Sequence, residues 1–180
     1  MKKRTTMLAL LLATGAGTCL QAQEKLTQFK VRDAITVRTP IMNDSINPKG
    51  EKYADKDLLK TPVVLDLADA PFQVLSTDTA GVLSFPKAEK DHSIYLLETS
   101  LRAERFMTGK LKVTSPARWE IFINGESKMS KENAEDSISG ASTREVNLRL
   151  EPEADYEITI KLLSGSKDKA VPTLKCELIK

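Results

Sequence analysis

Histidine and cysteine are scarce in this sequence, which holds one His and two Cys in 180 residues. A Ser-His-Asp hydrolase needs a histidine to take the serine proton, and His92 is the one candidate. A nucleophile elbow needs Gly-x-Ser-x-Gly, but Ser142, two residues after Gly140, lacks the second glycine. We therefore expect His92 to be a solvated residue at the start of a strand, and we expect no catalysis from this chain.

Ligands for metal ions and phosphate groups are equally few. A zinc site needs three or four Cys, His or carboxylate ligands, more than one His and Cys176 can supply. The carboxylates of Glu132, Glu135 and Asp136 leave a calcium site open as an alternative, although Lys131 weakens their field. No glycine-rich loop that would hold phosphate occurs. The sequence thus predicts neither a metal nor a cofactor.

The N-terminus has the order of features found in a secretory signal. Lys2, Lys3 and Arg4 form a basic start, and an apolar run over residues 7–13 precedes small residues. An apolar run of this length is too short to span a bilayer. We therefore predict a cleavable signal over residues 1–22, export to the periplasm or the exterior, and no membrane span.

The N-terminus has two alternatives to a cleaved signal. One is a buried N-terminal helix, which the basic start and the small residues disfavour. The other is a lipoprotein signal at Cys19, where Ala16 stands in place of the leucine that such signals normally carry. Lipoprotein anchoring is therefore disfavoured, and we expect cleavage after Ala22.

The charge of the exported chain is close to zero. The sequence has 27 basic and 25 acidic side chains, and losing three basic ones with the signal leaves 24 against 25, a net charge near −1. This balance gives no basic face for nucleic acid and no polybasic membrane anchor. The remaining residues, 23–180, suit one domain.

Cys176 would be the lone cysteine once the signal is removed. It lies on an apolar face, so we expect a buried side chain rather than a reactive thiol.

Several segments alternate apolar and polar side chains with a period of two, which indicates half-buried strands. Trp119, Ile121 and Ile123 share one parity, and Asn124-Gly125 after them is a tight-turn pair. The same period recurs over residues 146–150, 156–162 and 173–179. The sequence therefore predicts an all-β fold, an antiparallel β-sandwich of jelly-roll type, with Trp119 in its core.

Three stretches are harder to assign. Residues 40–62 and 126–142 are polar and rich in turn formers, so we predict two long polar loops. Loops this long are either functional or plain connections. Residues 94–106 contain no helix breaker, but their β-branched and aromatic start favours a long bent strand.

Aromatic side chains on an exposed face are a common means of binding glycans. Phe122 has the opposite parity to Trp119 and is predicted to be exposed, and Tyr53 lies in the loop 40–62. Both are candidate contacts for a ligand or for a neighbouring protein domain. Two scattered rings form a small platform, so packing of Phe122 against another domain is the favoured alternative.

Two family resemblances cover this chain. The run 111–125, with the strands that follow it, resembles galactose-binding-like jelly rolls. Segments 29–35, 40–53, 102–106 and 150–156 together resemble the N-terminal region of secreted bacterial prolyl oligopeptidase-family proteins. In that family a β-propeller and an α/β-hydrolase domain would follow, and neither is present in these 180 residues. The resemblance implies a non-catalytic accessory domain and transfers no catalytic residue.

Two functions from different classes follow as expectations. The first is an accessory or interaction domain that docks on a propeller or a peptidase domain, and the chain's end at Lys180 suggests a longer reading frame. The alternative is an independent carbohydrate-binding module.

Overall fold

A computed structural model describes residues 23–37, 50, 59, 72–89 and 92–180, with backbone only for residues 23, 24 and 33–37. The predicted signal 1–22 lies outside the described residues, as do Tyr53 and all of the loop 40–62 except Gly50 and Leu59. Within the described residues, no helix is long and apolar enough to cross a membrane.

The described residues form eleven strands in chain order. Their bounds are β1 (Gln23–Lys25), β2 (Gln28–Val37), β3 (Phe72–Ser76), β4 (Val82–Ser84), β5 (His92–Arg102), β6 (Met107–Thr114), β7 (Arg118–Ile123), β8 (Glu126–Lys131), β9 (Thr143–Leu150), β10 (Asp155–Gly165) and β11 (Thr173–Ile179).

The strands build two antiparallel sheets. A five-stranded sheet has the order β1-β11-β6-β9, with β4 also paired to β11, and a six-stranded sheet has the order β3-β2-β5-β10-β7-β8. Their apolar faces meet in one core. The fold is therefore the predicted antiparallel β-sandwich of jelly-roll type.

The prediction that Trp119, Ile121 and Ile123 of β7 face the core is confirmed. Trp119 and Ile121 are fully buried and Ile123 nearly so, because alternate residues of a strand point to one face of its sheet. Cys176 is buried in the same core, and burial raises the pKa of its thiol. The prediction of a buried cysteine is confirmed.

The prediction of one polar loop over residues 126–142 is wrong in its first part, which is strand β8. Asn124 and Gly125 have φ of 51° and 77°, the left-handed pair of a tight hairpin turn, so the chain returns directly beside β7. Lys131 is only 2% exposed. Its ammonium group donates to the carbonyls of Ser115 at 2.8 Å and Ala117 at 3.0 Å, which lets a lysine occupy a buried strand position.

The segment 94–106 is a strand rather than a helix, but it ends earlier than predicted. β5 stops at Arg102, and Ala103 makes an isolated bridge to Pro152. His92 is the first residue of β5, partly exposed, as its sequence position predicts.

Candidate functional site: a groove at the open end of the sandwich

A groove of about 1440 Å³ lies at one end of the sandwich. It is half open to solvent and is bounded by parts of both sheets. Contributions come from the β1–β2 junction (25–30), the end of β5 with the turn that follows (98–106), and the last residues of β11. The groove is therefore formed where the two sheets separate and the chain crosses between them.

The floor of the groove is the apolar core, and its rim is polar. Leu26, Phe29, Ala103, Leu150 and Leu178 line it and are buried. Charged side chains of both signs also line it: Lys25, Lys30, Glu98, Arg102, Glu104, Arg105, Glu157 and Lys180. An apolar base with a polar rim is the usual composition of a ligand site.

Backbone hydrogen bonds hold the rim in place. The N–H of Glu153 donates to the carbonyl of Ala103 at 2.8 Å, beside the bridge from Ala103 to Pro152. The hydroxyl of Tyr156 accepts the N–H of Glu151 at 2.8 Å. The turn 103–106 is thus tied to the turn 151–154, so side chains on it project from a fixed backbone.

Phe106 is the exposed aromatic side chain of this rim, with 48% of its surface accessible. The guanidinium of Arg149 lies 5.1 Å from the ring centroid, within the range of a cation–π contact. Arg149 also contacts Glu151 at 3.3 Å, from Nε to Oε1. The ring is therefore oriented by its neighbours while much of its surface faces solvent.

Glu104 and Arg105 stand beside Phe106 on the same turn. In the described part of the chain, neither side chain has a hydrogen-bond or ion-pair partner, in contrast to Arg102, which lies 3.6 Å from Asp155. A carboxylate offers only acceptors and a guanidinium only donors. Together they can bind a ligand that carries both kinds of group.

The carboxylates considered for calcium do not converge. Glu135 accepts hydrogen bonds from Lys131 Nζ at 3.0 Å and from the N–H of Ser142 at 2.9 Å, and Asp136 pairs with Lys169 at 2.5 Å. No group of three His, Cys, Asp or Glu able to hold a metal ion occurs among the described residues. These side chains fix the loop after β8 to the body of the domain.

Burial and hydrogen bonds shift the pKa values of Lys131 and Glu135. Burial lowers the pKa of Lys131, since the charged ammonium loses water. For Glu135 burial acts upward, but hydrogen bonds from Ser142 and Lys131 outweigh it and place the pKa below its usual range. Lys131 and Glu135 form an ion pair with 3.0 Å between Nζ and Oε2.

Phe122 lies on the outer face of the six-stranded sheet, opposite Thr159 and Ser127. It is half-buried rather than fully exposed, and it is not among the residues that line the groove. Tyr53 is outside the described residues. A ligand or partner contact at either residue stays a prediction, and the structure does not bring Phe122 to the groove.

Part of the same outer face carries buried charge. Lys161 is buried and donates a hydrogen bond to the carbonyl of Leu59, which is itself fully buried. Burial lowers the pKa of Lys161, and the neighbouring carboxylate of Glu120 opposes that shift. Leu59 thus packs on the sheet, within the segment 40–62 that the sequence predicts as a polar loop.

The sequence predicts residues 102–106 as the end of a strand and as one segment of the prolyl oligopeptidase-family resemblance. Neither prediction marks Glu104, Arg105 and Phe106 as a binding site. A signal exists in Ala103 and Glu104, whose residue types are depleted in strands. The fold and the groove together define a β-sandwich domain with a candidate binding site.

No family model and no curated protein matches this chain. Among solved structures, a β-glucosidase from Kluyveromyces marxianus in complex with glucose is similar at 14% identity and a TM-score of 0.48. The match covers 86% of this chain and 15% of that chain, so this chain spans a small part of the enzyme's length.

Two smaller proteins are also similar. A PA14 sugar-binding domain from an RTX adhesin has 18% identity and a TM-score of 0.37, over 49% of this chain and 46% of that chain. A family 35 carbohydrate binding module from Clostridium thermocellum has 8% identity and a TM-score of 0.35, over 54% and 86%. Identities and TM-scores this low carry no functional argument. None of the comparisons supports an origin in the prolyl oligopeptidase family.

Proposed function

We propose that this chain is an exported, non-catalytic carbohydrate-binding module whose ligand occupies the groove at the open end of the sandwich. The observation that carries the proposal is the rim turn 103–106. It presents a half-exposed phenyl ring next to a carboxylate and a guanidinium that have no other partner among the described residues.

The size of the groove favours an extended ligand. Its volume of about 1440 Å³ exceeds the roughly 300–1,000 Å³ of typical small-molecule pockets. Because the groove is half open, a chain of several sugar units can lie along it with part of its surface in water. A buried pocket for a single small ligand would instead be closed.

The chemistry of the rim suits a sugar. A sugar ring has an apolar face of C–H groups and an edge of hydroxyls that donate and accept hydrogen bonds. The ring of Phe106 matches the apolar face, while Glu104 accepts and Arg105 donates. The turn is fixed by its backbone bonds, so little conformational entropy is lost when a ligand binds.

Calorimetric titration of the purified chain with neutral and acidic polysaccharides tests this proposal. Phe106→Ala should weaken binding at least about tenfold, which corresponds to about 1.4 kcal/mol. Arg105→Ala should weaken it as well, while the fold, followed by circular dichroism, stays intact because both side chains are exposed.

Two control variants separate the groove from other surfaces. Ile138 is 52% exposed in the loop after β8, away from the groove, so Ile138→Ala should leave binding unchanged. Phe122→Ala tests the outer face predicted from the sequence. If Phe122→Ala abolishes binding and Phe106→Ala does not, the site lies on the outer face. If no glycan binds at millimolar concentration, the proposal is wrong.

An accessory domain of a peptidase is the second candidate function. One observation favours it: segments 102–106 and 150–156, which resemble prolyl oligopeptidase-family proteins, meet in space through the bridge from Ala103 to Pro152. Because both segments resemble that family and lie on one surface, a following domain could dock on this rim. Sequencing the gene downstream of Lys180 tests this. A frame encoding propeller blades and Gly-x-Ser-x-Gly supports it, and an immediate stop codon contradicts it.

A further inference from the structure

Strand β3 forms one edge of the six-stranded sheet. It pairs with β2, and no other described strand pairs with it. Its five residues, Phe-Gln-Val-Leu-Ser, carry no charge. Phe72 is 41% exposed and Val74 is 66% exposed. An uncharged strand with exposed apolar side chains at a sheet edge is a template for pairing with another strand.

The other edges in the described part of the chain are protected against such pairing. β8 carries Lys128 and Lys131, and the guanidinium of Arg144 donates to the carbonyl of Ser130 at 3.0 Å. β9 carries Arg144 and Arg149. β1 and β4 have three residues each. Charged residues, proline and very short length are the usual means of blocking an edge. β3 has no charged residue and no proline.

The backbone groups of β3 that point outward can be assigned. The N–H of Thr77 donates to the carbonyl of Thr27 at 3.0 Å, continuing the β2–β3 ladder. Hydrogen-bonded pairs alternate along an antiparallel ladder, so Leu75 and Gln73 also direct their backbone groups toward β2. The backbone groups of Phe72, Val74 and Ser76 point away from it, and none of these three has a further bond among the described residues.

We propose that β3 pairs antiparallel with β3 of a second copy of this chain, about a two-fold axis between the two Val74 residues. Val74 then faces Val74 of the partner subunit, and Phe72 faces Ser76 of the partner subunit. The outward N–H and C=O groups of all three residues find partners. The two six-stranded sheets become one continuous sheet, and the interface is the same patch on both subunits.

A second copy is the occupant that the charges favour. The strand carries no charge, so two copies of it do not repel each other. The nearest cations on this face are Lys30 and Arg32 of β2, which pair with Val74 and Phe72. Lys30 would lie three strand spacings, about 14 Å, from Lys30 of the partner subunit, beyond the screening length of about 8 Å at physiological salt. Arg32 would lie farther from its counterpart, because Phe72 faces Ser76, which pairs with Gln28. Arg32 is also held over the Phe72 ring, 3.8 Å from its centroid.

Sedimentation velocity of the purified chain, from micromolar to submillimolar concentration, tests the pairing. A five-residue strand pair is smaller than a standard interface of about 1,600 Å², so we expect a weak dimer whose fraction rises with concentration. Val74→Lys places two charges face to face and should leave a monomer at every concentration. Ile138→Lys adds the same charge at an exposed apolar site elsewhere and should dimerise like the parent chain.

Cross-linking tests the register independently. Hydrogen-bonded antiparallel partners have Cα atoms about 5.5 Å apart, within the range of about 4.4–6.8 Å that a disulfide spans. In a Cys19→Ser background, Val74→Cys should form a disulfide-linked dimer on mild oxidation, while Ile138→Cys should not. A parent chain that stays monomeric throughout, or a dimer that survives Val74→Lys, overturns the proposal.

Discussion

Replacing Trp119 by alanine removes the largest fully buried side chain of the core. Trp119 lies on β7, opposite Leu162 of β10 and Lys131 of β8. Sandwich packing encloses it on every side, since its exposure is 0%. The surrounding strands are held by two ladders, so they cannot collapse into the space that the indole leaves.

The expected cost follows from this packing. Removal of a buried Trp costs about 3–5 kcal/mol, out of a typical total stability of about 5–15 kcal/mol. In a domain of this size each kcal/mol lowers the melting temperature by about 2–4 °C, so the loss should be roughly 6–20 °C. Trp119→Phe should cost less, because it leaves a smaller cavity and the indole N–H that it deletes has no hydrogen-bond partner among the described residues.

Thermal and urea denaturation of three variants checks the reasoning, with Phe122→Ala as the control on the opposite face of the same strand. Phe122 is half-buried, so its loss should cost well under half as much as that of Trp119. If Trp119→Ala melts like the parent chain, or if Phe122→Ala is the more damaging change, the assignment of the inner face of β7 is wrong.

Two further predictions concern ionisable groups. The pKa of Glu135 is lower in the folded chain than its unfolded value of about 4.3, so it contributes stability above that pH that is lost as pH falls through the folded pKa. Glu135→Gln should therefore flatten the acid limb of a stability-versus-pH curve, and an unchanged limb would contradict the ion pair with Lys131. Burial raises the pKa of Cys176, so a thiol reagent should label it in urea but not in the native chain. Rapid native labelling would show that β11 opens or is misplaced.

The sandwich was predictable from the sequence because its strands bury one face each. Trp119, Ile121 and Ile123 alternate with polar or less buried residues, and that period alone fixes which side meets the core. The pairing order was not predictable. β10 lies between β5 and β7, and these neighbours are distant in sequence, so no local pattern records them.

Strand β8 was hidden by its composition. Its sequence, Glu-Ser-Lys-Met-Ser-Lys, has one apolar residue in six, which a local pattern assigns to a loop. The strand forms because the hairpin turn at Asn124 and Gly125 returns the chain beside β7. Lys131 then takes an inward position because the carbonyls of Ser115 and Ala117 and the carboxylate of Glu135 accept hydrogen bonds from its ammonium group. These acceptors are tertiary neighbours, and the sequence does not place them.

The groove rim follows from the topology rather than from any motif. Arg102 of β5 pairs with Asp155 of β10 in one sheet, and Met107 of β6 pairs with Leu150 of β9 in the other. The turns 103–106 and 151–154 therefore cross the same gap between sheets, about 10 Å wide, side by side. Both ends of each turn are fixed by ladders, which explains the bridge from Ala103 to Pro152. Side chains on turns held in this way can vary without loss of the fold, so binding specificity is free to reside there.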